Sequence, residues 1–227
     1  MLDLIGIFFI VALCYRAYNR GLIVSVYKLT SVFISFGVAV ICYPVVSAML
    51  RLTLIDETIE KYIGDLLINL DLVEGVQSQA NALTEYLYMM PDPLVDILIQ
   101  NNNKEVYAIF GANNIIDYIS SYIANMAINV FSVIIVIIIV KIGIAFFVSG
   151  ADLIAQLPVL RTVNSWGGIV LGFAEAIVVI WLFCLVIPFL TVSPQCEWLT
   201  LMWESSIFVR WFYDNNFLFD YMIGLTL

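Results

Sequence analysis

Three ionisable side chains, Lys28, Lys141 and Glu175, stand inside stretches otherwise made of apolar residues. Amines and carboxylates hold ions and move protons, and a charge in a lipid environment is costly unless it finds a partner. At about 1.5 Å of rise per helical residue, Lys28 lies roughly 10 Å past Gly21, Glu175 about 13 Å past Trp166, and Lys141 about 12 Å before Ser149. One layer can therefore hold all three, and we expect Glu175 to pair with Lys28 or Lys141. Three readings follow. The pair fixes helix register, or it forms a polar site on an ion, proton or substrate path, or the lysines reach the lipid headgroups.

The stretches that must position these charges are long and apolar. From Trp166 to Pro188 the chain is apolar for about twenty residues apart from Glu175, which is the length of a membrane-spanning helix. Gly168, Gly172 and Ala176 recur there every four residues, a small-residue stripe along which another helix backbone can approach closely. Leu22 to Val46 gives a second span with a similar stripe, Ser31, Ser35 and Ala39, three residues on from Lys28; Pro44 is read as sitting in its last turn. The run Leu4 to Tyr15 is short for a span, and makes one if Arg16 snorkels. Another span starts within residues 119–129, runs through the β-branched block Val133 to Val140 and ends near Ser149. The expected fold is all-α, a polytopic bundle of four transmembrane helices divided as 1–46, 47–118, 119–190 and 191–227.

Residues 47–118 differ in kind. Eleven carboxylates there face three basic residues, Arg51, Lys61 and Lys104. Ile55, Ile59, Tyr62, Ile63, Leu66, Leu67 and Leu70 follow the helical period, with further helices expected at Gln77 to Met89 and Leu94 to Ile99, around Pro91 and Pro93. About seventy residues in short helices bury little core alone, so their apolar faces should lie on the bundle, the bilayer or a partner. The tail, 191–227, is rich in Trp, Phe and Tyr and suits an amphipathic interfacial helix or a docking surface. Arg16, Arg20 and Arg161 flank short loops, which the positive-inside rule puts in the cytoplasm; both termini and the acidic segment then face outward from a cell membrane.

Composition narrows the functions. The 227 residues are 63% hydrophobic with a mean hydropathy of +1.03, so lipid is the solvent for much of the chain. A net charge of −9 argues against nucleic acid. With no histidine, His-based metal sites and Ser-His or Cys-His nucleophiles cannot be built. Cys14, Cys42, Cys184 and Cys196 form no CxxC pair and read as small hydrophobes, and Asp92, Asp96 and Asn101 to Asn103 lack calcium-loop spacing. Phosphate-loop, dinucleotide and nucleophile-elbow motifs do not occur, so no enzyme activity, cofactor or metal is expected.

The Arg16, Arg20-Gly21 hairpin before a long apolar helix, with Leu157-Pro158, Asn164, Gly168 and Gly172 ahead of the last span, resembles the colicin V production protein family of bacterial inner-membrane proteins. The resemblance covers the first fifty residues and about 123–188. It implies a four-span plasma-membrane protein connected with production or export of a toxin peptide and with envelope upkeep, and marks Arg20, Gly21, Pro158 and Asn164 as motif positions. The expected role is non-enzymatic, through contacts with a membrane or envelope protein or a second copy. The alternative is a small oligomeric channel or transporter subunit using Lys28, Lys141 and Glu175.

Overall fold

The computed structural model describes residues 1–53, 55–67, 90, 92–149, 161–191 and 196–226, and all secondary structure among them is helical. Four helices are long and apolar enough to cross a bilayer: α1 (Leu2–Arg20), α2 (Leu22–Arg51), α6 (Ile115–Ser149) and α7 (Arg161–Cys184). The chain is a multi-pass membrane protein by that measure. Shorter helices lie between α2 and α6, namely α3 (Ile55–Leu67), α4 (Asp92–Gln100) and α5 (Lys104–Phe110). After α7 come α8 (Ile187–Thr191), α9 (Glu197–Glu204), α10 (Phe208–Asp214) and α11 (Phe217–Thr226).

Packing follows the small residues. Helix α7 runs antiparallel to α1: Gly168 faces Ala17 and Gly21, and one turn on Gly172 faces Ala17, Leu13 and Cys14. A Cβ on Gly168 would lie 2.4 Å from the Ala17 carbonyl oxygen, so the two backbones are too close for any side chain there. Helix α2 runs parallel to α7 and packs on it and on α6. The main helix contacts thus run in the order α1, α7, α2, α6. Helix α11 packs against both α6 and α7, burying Leu218, Phe219 and Met222, and Tyr221 reaches Phe36 at the middle of α2. The tail is therefore more than a headgroup-level layer: its last helix docks on the spans.

Several boundaries differ from the sequence expectation. Helix α1 is 19 residues, running beyond the apolar run at both ends through Asp3 and Arg20. Helix α2 continues to Arg51, so Pro44 lies in its interior and not in its last turn. The apolar residues after it, Val45, Val46 and Met49, keep the helix going, as span interiors tolerate a lost backbone bond when neighbouring groups compensate. Helix α7 stops before Pro188, which cannot donate to the Cys184 carbonyl; Leu185 and Val186 form a turn, and Pro188 falls in the first turn of α8 where no donor is needed. The expected helix at Gln77 to Met89 and the motif residue Pro158 lie outside the described residues.

Helix α6, at 35 residues, is about 52 Å long, well beyond a hydrocarbon core of about 30 Å. Its first half is sheathed by protein instead. Ile63 of α3, Leu94, Val95 and Leu98 of α4 and Phe110 of α5 pack into one cluster with Ile115, Tyr118, Ile119 and Tyr122. Ser121 donates to the Glu60 carboxylate across the α3–α6 contact. Ile55 and Tyr62, on the same predicted apolar stripe, stay exposed because only the edge around Ile59 and Ile63 meets α6. The asparagine clusters are helix starts: Asn103 accepts from Glu105 and Val106 at the head of α5, and Asn114 accepts from Asp117 at the head of α6.

Candidate functional site: a polar cavity between three spans

Around Gly21 two parts of the chain distant in sequence, the α1–α2 turn and the start of α7, meet in space. Gly21 adopts φ +81°, a conformation that β-carbon-bearing residues rarely hold, and a Cβ there would also strike the Asn164 amide. That amide oxygen accepts the Leu22 backbone N–H at 2.7 Å, so α7 supplies the N-cap that α2 lacks locally. A Cβ on Gly167 would meet only the end of the Leu22 side chain, which can move aside. Arg20 ends α1 beside this joint.

One to two turns along α2 the helices part. A cavity of about 230 Å³ opens there, walled by Tyr27, Lys28 and Ser31 of α2, Lys141, Ile144 and Ala145 of α6, and Glu175 of α7. All three intramembrane charges named from the sequence line this one space, each half-buried. They do not touch. Among the described residues the ion pair within 4.0 Å is Arg210 with Asp214, both exposed on α10, and neither Lys28, Lys141 nor Glu175 has one. The cavity lining carries two amines and one carboxylate.

The small-residue stripes divide in role. Gly168 and Gly172 lie on the α7 side of the α1 contact, and Ala176, one turn on, is buried. On α2, Ser35 and Ala39 are fully buried, the Ser35 hydroxyl returning to the Ser31 carbonyl at 2.7 Å, while Ser31 itself is half-buried in the cavity wall.

Sequence reasoning missed two polar joints. Near the far end of α2, buried Ser47 donates to Asn129 of α6 at 2.9 Å, and Arg51 donates to both. At the start of α1, the Asp3 carboxylate accepts from the Ser206 hydroxyl and from the backbone N–H groups of Ile207, Phe208 and Val209. Asp3 thereby caps α10, and Gly6 packs on Val209 behind it. Asn129 inside a span was the available signal for the first; nothing local marks the partner of Asp3. Among the described residues no group of three His, Cys, Asp or Glu is placed to hold a metal, and the four cysteines are free.

Comparison with family models, with curated proteins and with solved structures gives no match for this chain.

Proposed function

We propose that this chain is a non-enzymatic membrane-anchored interaction protein. The observation that carries the reading is the helical layer at the end of the spans away from Gly21. Helices α3, α4 and α5 sheathe the start of α6 there, and α10 is tied to the start of α1. The layer leaves large apolar side chains uncovered: Trp198, Leu201, Ile207 and Trp211 are all more than half exposed. A surface of that kind fits a partner or the lipid interface better than open water. With Arg16 and Arg20 at the opposite end, the positive-inside rule puts the layer outside the cytoplasm, together with the N-terminal end of α1. The resemblance to the colicin V production family names toxin export and envelope upkeep as processes in which to seek the partner.

Site-specific photo-crosslinkers at Trp198, Leu201, Ile207 and Trp211 in native membranes test the reading. A discrete adduct with one membrane or envelope protein or a second copy, absent from crosslinkers at Phe8 and Val11 on the exposed side of α1, is expected. Adducts with lipid alone at all four positions overturn it. The channel or transporter alternative is separated by reconstitution: the purified chain in liposomes should give no ion or solute flux.

A further inference from the structure

The bonds between helices put the cavity on one scale of depth. Asn164 is level with Leu22, so Glu175, eleven residues further along α7, lies about 16 Å into the span. Asn129 is level with Ser47, about 38 Å past Leu22, and antiparallel α6 brings Lys141 back about 18 Å, to a depth of about 20 Å. Lys28 lies at only about 9 Å, from which its stem reaches the headgroups at the Gly21 end. Glu175 and Lys141 thus stand on different walls of the cavity at nearly one depth, close to the middle of α2. Neither can snorkel from there, and neither has an ion partner within 4.0 Å among the described residues. What keeps their walls apart lies just beyond them. Among the described residues α6 and α7 pack on α2 and on α11, and hardly on one another. Leu218, Phe219 and Met222 of α11 are buried in one cluster with Val133, Val136 and Ile137 of α6 and with Leu185 just after α7. Tyr221 meets Phe36, and Asn216 donates to the Trp181 carbonyl at 3.0 Å. On the same scale Phe36 lies about 21 Å and Trp181 about 26 Å past Leu22, so α11 begins where the cavity ends.

We propose that α11 is a wedge that holds the chain in an open state, and that its withdrawal lets α6 and α7 close the cavity with Glu175 and Lys141 in an ion pair. Two separate charges at mid-span are costly, and their attraction is strong where water is scarce. The apolar burial of Leu218, Phe219 and Met222 opposes that attraction, so the two arrangements are alternatives of one packed bundle. Lys28 takes no part in the pair, which is why one carboxylate suffices for the cavity. The handle is the tail itself: α11 follows α10, which Asp3 and Gly6 hold to the start of α1. A partner seated on the exposed aromatics of α9 and α10 would move the wedge. That last step rests on the interaction reading above, and the wedge does not.

The test measures the α6–α7 distance by electron double resonance on the full chain in nanodiscs, without any partner. Spin labels go on I142C and F173C, exposed positions near the two charges, with the four native cysteines replaced by alanine. F219A thins the wedge and should raise a shorter-distance population at least about threefold over the parent chain. Adding E175Q should abolish that rise, and adding E175D should keep part of it. L94A, which removes an equally buried side chain from remote α4, should leave the distances unchanged. If F219A does not fold, the smaller change M222A takes its place. An unaltered distribution in the thinned wedge overturns the proposal. A rise that survives E175Q overturns it too, because the helices would then close by packing and not through the pair. So does an equal rise in L94A, since any loosening of the bundle would then close the gap.

Discussion

The side-chain oxygen of Asn164 accepts the backbone N–H of Leu22 at 2.7 Å across 142 residues of chain, so one helix start is completed by another helix. Local sequence gives α2 no cap, since Gly21 has no side chain, and the first turn of a helix leaves donors without partners. Asn164→Ala should therefore destabilise the protein by about 1 kcal/mol, and Asn164→Asp, which keeps the acceptor, by less. Gly21→Ala should be worse than either, because it meets both the positive φ and the Asn164 amide. Unfolding in mixed micelles, followed by circular dichroism, ranks the three. Asn164→Ala as damaging as Gly21→Ala would refute the capping account.

A contrast between glycines tests the α1–α7 approach. Gly168→Ala places a methyl group against the Ala17 backbone carbonyl and must separate the helices, at a cost of about 1–3 kcal/mol. Gly37→Ala, on α2 with open space around it, should be neutral or stabilising by up to about 1 kcal/mol. Thermal melting in detergent reads both. Equal effects would show that helix propensity, and not the close approach, decides.

These two joints show what was legible. The spacing of Gly168, Gly172 and Ala176 reveals a close-packing face because the period is written in adjacent turns. The layering of Lys28, Lys141 and Glu175 is equally a matter of counting residues from helix ends, and they do share one cavity. Whether they touch is not a counting matter: it depends on how far α2, α6 and α7 splay, which is set by side chains elsewhere. Asp3 makes the same point more sharply. An acidic residue in a first turn looks like a local dipole partner, and its real partners lie more than two hundred residues on. The end of α2 is less legible: Pro44, read as sitting in the last turn, lies in the helix interior, because a span tolerates proline when the apolar pattern continues.

Removal of the Asp3 carboxylate should loosen the tail and leave the spans intact. Asp3→Ala strands the N–H groups of Ile207, Phe208 and Val209, worth about 1 kcal/mol in capping, and frees α10 from α1. Hydrogen exchange over residues 206–214 should rise at least several-fold, with exchange in α6 unchanged. Asp3→Asn keeps one acceptor oxygen and should fall between. Unaltered exchange in the Ala variant would show that Gly6 and Val209 packing holds α10 without the cap.

The Ser47–Asn129 pair joins α2 to α6 where both approach the helical layer, and Arg51 donates to each of them. Inside lipid such a bond contributes about 0.6 kcal/mol on average and up to about 1.7, less than intuition suggests, because separated helices find other partners. Asn129 is buried, however, and Ser47→Ala leaves its amide oxygen with Arg51 alone, at 3.5 Å. Ser47→Ala should thus cost about 1 kcal/mol, and Asn129→Leu nearer to 2, since it strands the Ser47 hydroxyl and the Arg51 guanidinium together. The double variant Ser47→Ala with Asn129→Leu should recover part of that loss, as both ends of the main bond are then apolar. Strict additivity in the double-mutant cycle would mean that the two residues act separately, and that α2 and α6 are held there by packing alone.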